Sequence, residues 1–336
     1  MKFTKLFWSA IAAISMSVAL LAPSGALASS DGDPSVITIS GAGPQGRWFK
    51  EASLFGKVLT ENLSDLSVNG VIGKGVSVGN IKRVAAGKVQ AGRFFLFDME
   101  NALKNQAQFE KGDYKNVRVW MKLGTHLFRV VAEKGIDTFS DLKGRTIAVG
   151  VKGSGDDLLA TRVLAGYGID PSNTKFRYVG RKDGQAALAN GQIDAIAFAY
   201  TRNNQGHLGP IFAARKIGVD VDFVKPDEDK TAEFLASDAT FFLDTLGEPA
   251  FGRPDLKGIA FFNGMAIDAN LSEDIVYRMT KALFENWDDV LLGAPWWAEP
   301  GEASLEDAAR ITTAPYHPGA VKYFKEKGVW DKFQKN

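Results

Sequence analysis

The sequence has no cysteine and only three histidines in 336 residues. The first absence removes disulfides, thiol nucleophiles and thiolate metal sites together. It also removes the lipidated cysteine that tethers some exported proteins to a membrane. The histidines, His126, His207 and His317, are too scattered to suggest a metal site, and His317, in a His-Pro-Gly-Ala turn, reads as structural. Charge of one sign is lacking too: 40 Lys and Arg stand against 39 Asp and Glu. That balance makes no global field for gripping nucleic acid or an anionic membrane. After Leu21 no uncharged apolar run approaches the roughly 20 residues of a spanning helix, so no stable membrane insertion is expected. Gly-x-Ser-x-Gly, His-Glu-x-x-His and the Walker lysine are absent as well. The chain reads as a binding protein without catalytic residues, cofactor or metal.

What is present begins with an export signature. Lys2 and Lys5 precede an apolar stretch from Leu6 to Leu21, then Pro23, Gly25 and the small-x-small ending Ala26, Leu27, Ala28. Residues 1–28 are expected to be a signal peptide cleaved after Ala28, which sends the protein to the periplasm. Lys2 and Lys5 are the only charges ahead of that site, so cleavage leaves acidic residues one in excess. An exported chain without disulfides rests on its hydrophobic core, for which 45% hydrophobic residues suffice.

Short β-branched runs alternate with helical periodicity, the pattern of an α/β fold with mostly parallel sheets. Strands are expected at 36–40, 66–72, 92–96, 117–123 and 128–132, and again at 146–151, 176–179, 193–199, 221–224 and 258–267. Helices are expected at 48–62, with Trp48, Ala52, Phe55 and Leu59 on one face, and at 80–86, 156–166, 184–190 and 271–292. Ser272 reads as the N-cap of the last, with Glu273 and Asp274 in its positive first turn. The segment 225–255 is mixed. The unit restarts near Phe139, which suggests a discontinuous first lobe, residues 29–130 plus 256–336, and an inserted second lobe, residues 131–255.

Three segments share one design: a strand, a Gly- and Ser-rich turn, then a helix whose first amides have no partner within the helix. They are SGAGPQGRWF (Ser40 to Phe49), GKGVSVGN (Gly73 to Asn80) and GVKGSGDD (Gly150 to Asp157). Unpaired amides and the helix dipole suit each turn to a carboxylate or phosphate. The first also matches G-x-G-x-x-G at Gly41, Gly43 and Gly46. No acidic residue follows the second strand to meet a ribose, and Pro44 sits inside the loop, so a dinucleotide is disfavoured.

The segments GAGPQGRWF, SVGNIKRVAAGKVQAG, DLKGRTIAVGVKGSG, NGQIDAIAFA and YHPGAVKYFKEKG occur in that order over nearly all of the chain after Ser29. On them the sequence resembles the TAXI family, the solute receptors of one branch of the tripartite ATP-independent periplasmic (TRAP) transporters. The resemblance implies a type II periplasmic-binding-protein fold, two α/β lobes joined by crossing strands with a ligand cleft between them. It implies hinge closure on a small carboxylate such as glutamate or 2-oxoglutarate, and delivery to TRAP-type permease subunits. The chain departs from the family's usual pattern at Gly46-Arg47, at Asp156-Asp157 and at Tyr200-Thr201-Arg202, which leaves the ligand open. A receptor for an ATP-driven importer of amino acids or of aromatic or sulfonate solutes shares the fold, and an exported enzyme could reuse it.

Candidate ligand residues follow from the loops. Trp48 and Phe49 serve either as an aromatic wall or as core. Gly43, Gln45, Ser77 and Asn80 lie in or beside turns at strand ends, where open α/β sheets place ligands; capping is the alternative role for the polar ones. Ser154 and Gly155 would add donors from the second lobe. Tyr200 and Arg202 follow a strand, and a planar guanidinium can clamp a carboxylate bidentately; Lys152 and Arg47 are rival cations. Asp156 and Asp157 either stabilise their helix N-terminus or receive a ligand ammonium, and Asp98 and Glu100 admit the same two roles. Trp296 and Trp297, between Pro295 and Pro300, read as packing groups over a hydrophobic edge, with contact to the permease as the alternative.

Overall fold

The protein is described by a computed structural model covering residues 32–44, 46–201, 218–245, 256–298 and 302–334. The expected signal peptide, Gln45 and Arg202 lie outside these residues, and of Tyr200 only the backbone is described. Ser35–Asn336 form one compact unit.

Its sheet has two parallel triads. β1 (Val36–Ser40) pairs with β2 (Ser67–Val71) and β3 (Ala91–Phe95), while β5 (Thr146–Ala148) pairs with β6 (Lys175–Arg177) and β7 (Ala195–Thr201). Two long antiparallel strands join them: β4 (Val117–Glu133) and β10 (Lys257–Asp268) lie side by side, β10 against β3 and β4 against β7. The strand order is β2-β1-β3-β10-β4-β7-β5-β6, with β8 (Val221–Val224) added to β4 and β9 (Phe241–Thr245) to β10. β3 and almost all of β4 are buried on both faces, with Arg93, Lys122, His126 and Arg129 buried among their apolar residues, so neither shows an in–out alternation.

Each triad is threaded by helices: α1 (Arg47–Asn62), α2 (Val76–Ala85) and α3 (Leu96–Leu103) follow β1, β2 and β3, while α4 (Gly155–Gly166) and α5 (Arg181–Ala189) follow β5 and β6. The loops that open these helices all stand at carboxyl ends of parallel strands. α6 (Glu228–Ser237) and β9 occupy the described part of the segment 225–255, which shows no clear period in sequence. α7 (Glu273–Glu285), α8 (Trp287–Gly293) and α9 (Pro318–Glu326) complete the fold. Ser272 caps α7 as expected, its Oγ accepting from Ile275 N at 3.1 Å.

The structure corrects several boundaries: α2 starts at Val76 rather than near residue 80, α5 at Arg181 rather than 184, and β5 ends at Ala148. Two further differences are larger. The expected strands 117–123 and 128–132 are one 17-residue strand. Gly124 reads as a breaker, but it is there because Glu302 comes close: a Cβ at that position would lie 2.7 Å from Glu302 Oε2. The expected helix 271–292 breaks at Asn286, whose Nδ2 donates to Ala282 O at 2.8 Å and so takes a carbonyl that the helix would have used.

Three apolar clusters carry the fold. One gathers Phe55, Trp120, Leu283, Trp297 and Phe324, with the α1 face Ala52, Phe55 and Leu59, from residues 37–123 and 265–329. A second joins Trp48, Phe95 and Phe97 to Phe128, Leu159, Phe234 and Phe261, and a third packs Leu127, Ile196 and Phe223. Burial at about 25 cal/mol per Å² makes the largest of these side chains worth a few kcal/mol each. His317 caps α9 with Nδ1 accepting from Gly319 N at 3.2 Å, and its Nε2 lies 3.0 Å from Leu271 O. Burial depresses its pKa, which suits a neutral capping ring.

Candidate functional site

The first two glycine loops are zipped together at the ends of β1 and β2. Gly41 N donates to Val71 O at 2.9 Å and Gly73 N to Ala42 O at 3.1 Å. The approach is so close that a Cβ on Gly73 would lie 2.3 Å from Gly41 O. Gly43 sits exposed at the tip of the first turn, its carbonyl accepting from Gly46 N at 2.8 Å. Both loops release helices in an unusual state. α1 and α2 start from Gly46 and Gly75 with no side-chain cap and no acidic residue in the first turn. Their positive ends are left for something other than their own side chains. Val76, the first residue of α2, carries a φ of 47°, a costly value for a β-branched residue.

Phe95, at the end of β3, is where the helix starts meet. Its ring stands edge-on to Trp48 with centroids 5.0 Å apart. Its amide donates to Ser77 Oγ at 2.9 Å. A Cβ on Gly155 would lie 3.3 Å from its Cε2. The N-termini of α1 and α4 therefore adjoin the Phe95 ring and that of α2 its backbone amide, and the ring continues into a buried aromatic cluster of His126, Phe97 and Phe261.

Among the sequence candidates, Trp48 is buried beside Phe95 and Phe49 is half-buried. Asn80 is fully buried and framework-bound: Nδ2 donates to Gly41 O at 2.9 Å and to Arg93 O at 3.0 Å, tying the first loop to β3. Its Oδ1 and Ser40 Oγ are buried without a hydrogen-bond partner. Ser77 accepts from Phe95 and also bonds Asp98. Ser154 caps α4, accepting from Asp157 N at 3.3 Å. Asp156 is held by Arg181 Nη2, 2.8 Å from both carboxylate oxygens, and by Ala199 N at 3.1 Å. Asp157 accepts from Gly153 N at 2.7 Å and Thr161 Oγ1 at 3.2 Å. Lys152 lies 3.8 Å from Asp157 and over the Tyr178 ring. Glu100 pairs with Lys104 at 2.6 Å.

Behind the first loop lies a charged network that sequence reasoning missed. Arg93 donates to Glu51 and to Asn263 Oδ1, and Asn263 Nδ2 lies 2.7 Å from His126 Nδ1. Glu51 also accepts from Arg47 Nε at 2.9 Å and Trp296 Nε1 at 3.1 Å, so Trp296 packs here as Trp297 does deeper in the core. The Arg93 guanidinium covers the Trp48 ring at 4.9 Å. Glu302 stands 3.6 Å from Arg47, and burial pushes its carboxyl up to about 6. Burial likewise pushes Asp98 up to about 7, although Ser77, Arg162 and Gln108 (2.9 Å) oppose the rise. The only local signal for this network was Arg47 and Glu51 at helical spacing; Arg93 and Asn263 lie far off in sequence. Arg181 could have been suspected as the first residue of a helix that follows a strand end.

Among the described residues no group of His, Asp and Glu could hold a metal ion, and no helix is long and apolar enough to cross a membrane.

The NMT1-like family matches residues 39–328. Among solved structures, XAC2383 from Xanthomonas citri bound to ATP is 12% identical, covers 89% of this chain and 98% of its own, and superposes with a TM-score of 0.54. The same protein bound to chloride gives 0.53 at 12% identity, over 89% and 100%. At that identity the likeness is one of fold. A putative sulfonate ABC transporter protein, the periplasmic sulfonate-binding SsuA of Methylobacillus flagellatus, is 19% identical over 80% and 71% of the two chains, with a TM-score of 0.47.

Proposed function

The chain belongs to the NMT1-like family, and we propose that it is a periplasmic solute receptor that captures a small anion at the junction of α1, α2 and α4 and hands it to a membrane permease. The observation that carries this is the meeting of these N-termini on Phe95, two of them without a cap or an acid of their own. An anion there receives backbone amides and positive helix ends together. Gly43, Ser77, Ser154 and Gly155 would line the loops and Trp48 and Phe49 supply the wall; Gln45, Tyr200 and Arg202 remain ligand candidates on their place in the sequence alone. Asn80 and Asp156 hold the loops in shape.

Residues 29–130 with 256–336 act as one lobe and 131–255 as the other, hinged on β4 and β10. Closure needs only a ligand that favours one arrangement over another, so binding without turnover completes the task. The resemblance to TAXI receptors names the permease as a TRAP type and the ligand as a carboxylate.

Thermal unfolding against glutamate, glutamine, 2-oxoglutarate, C4-dicarboxylates and aromatic acids tests the reading. A ligand at 100 times its Kd adds about 2.7 kcal/mol to a native state that alone binds it. A clear rise in Tm with a carboxylate is expected. A rise confined to sulfonates would transfer the protein to an ATP-driven importer, product formation on prolonged incubation would make it an enzyme, and no response to any anion would overturn it.

A further inference from the structure

The ligand's charge can be narrowed from what already occupies the acids around Phe95. Asp156 is held by Arg181 and Ala199 N, and Asp157 by Gly153 N, Thr161 and Lys152. Asp98 is 1% exposed and accepts from Gln108 and Ser77. Glu51 is fully buried among Arg47, Arg93 and Trp296, and Glu302 faces Arg47. Among the described residues what is left for an ammonium is uncharged: an aromatic face, of which Trp48 already has the Arg93 guanidinium over its ring, and neutral oxygens such as the buried, unpartnered Asn80 Oδ1 and Ser40 Oγ. Positive helix ends complete the surroundings. An ammonium brought here loses hydration and gains no carboxylate, and it meets repulsion from α1 and α2, which carry no acid in their first turns.

We infer that this site discriminates against ligands bearing an ammonium and takes plain anions: 2-oxo, 2-hydroxy or unsubstituted acids, or their sulfonate counterparts. This rests on the anion-receptor reading above. Its alternative, an amino-acid receptor, needs a carboxylate released from Arg181, Gln108 or Gly153 by the ligand itself, at the cost of the contact it leaves.

Calorimetric titration with pairs that differ in the ammonium tests it: 2-oxoglutarate against glutamate, pyruvate against alanine, phenylpyruvate against phenylalanine, ethanesulfonate against taurine. In whichever skeleton binds, the member without ammonium should bind at least tenfold more tightly. Equal or tighter binding of the amino member overturns the inference and leaves the receptor reading standing, whereas no binding by any compound of either kind overturns both. Asp156→Asn supplies a second measurement. The preference within the pair should stay within about threefold of the parent's, because Asp156 serves Arg181. A tenfold move toward the oxo acid would identify Asp156 as an ammonium receptor and sink the inference.

Discussion

Two charged clusters flank the candidate site and are built on opposite terms. Behind α1, Arg93 and Glu51 are 3% and 0% exposed, and their partners come from β10, α1 and Trp296. At α4 and α5, Asp156 and Arg181 are 24% and 25% exposed, within reach of water. A desolvated pair is strong only while complete, because either partner alone is a buried charge with nothing opposite it. A wet pair is weak but forgiving. The first cluster thus fixes the start of α1 and the Trp48 ring. The second ties the start of α4 to α5 and β7 through groups that water still reaches.

The sharpest way to break this contrast is Arg93→Met. It removes the buried partner of Glu51, leaving that carboxylate to Arg47 and Trp296, uncovers Trp48, and should cost up to about 3–5 kcal/mol in urea unfolding, with a changed tryptophan emission. Adding Glu51→Gln to it should recover part of the loss, since both charges are then gone. A cost below about 1 kcal/mol for the single change would mean that this pair is no more constrained than Asp156–Arg181.

Asp98 tests desolvation on the same side of the molecule. Burial raises its carboxyl from 3.8 to about 7, so the folded protein holds a proton that the unfolded chain releases near pH 4. The stabilisation is complete below about pH 4 and is lost as pH rises through 7. Asp98→Asn has no such loss. Relative to the parent it should gain about 2–4 kcal/mol between pH 4 and pH 8, taking about 1.4 kcal/mol per pKa unit. A flat difference would show that Ser77, Arg162 and Gln108 compensate the burial in full.

A smaller effect is expected where the first two loops touch. Gly73→Ala drives a methyl into Gly41 O, and separating two backbone segments should cost about 1–3 kcal/mol by thermal unfolding. Gly43→Ala in the neighbouring turn, where a Cβ meets nothing within 4 Å, is the control.

Local signals in the sequence were legible because their causes are local. The apolar spacing of Trp48, Ala52, Phe55 and Leu59, the Ser272 cap and the glycine turns before α1, α2 and α4 each depend on a few neighbouring residues. The pairing of Arg93 with Glu51 and Asn263 depends on residues 42 and 170 positions apart. So does Gly124, a breaker by composition and a strand residue because a carboxylate from Glu302 must fit beside it. Asn286 shows the same limit at short range, since its side chain ends a helix whose apolar pattern continues. The engagement of Asp156 and Asp157 also escaped the sequence, which favoured helix charge over ligand contact but named neither Arg181 nor Gly153 opposite them.

The smallest expected effect falls on the second cluster. Asp156→Asn keeps a side-chain oxygen for Ala199 N and loses the charge facing Arg181, a group that solvent can still reach. The cost should be about 1 kcal/mol or less in thermal unfolding, and raised salt should shrink it further, because a half-exposed pair is screened. A cost near that of Arg93→Met would place this pair in the framework as well. The Gly150–Asp157 loop would then be as fixed as the loops of α1 and α2, and the hinge motion proposed above would have to bring the whole of α4 to the proposed ligand as a rigid piece.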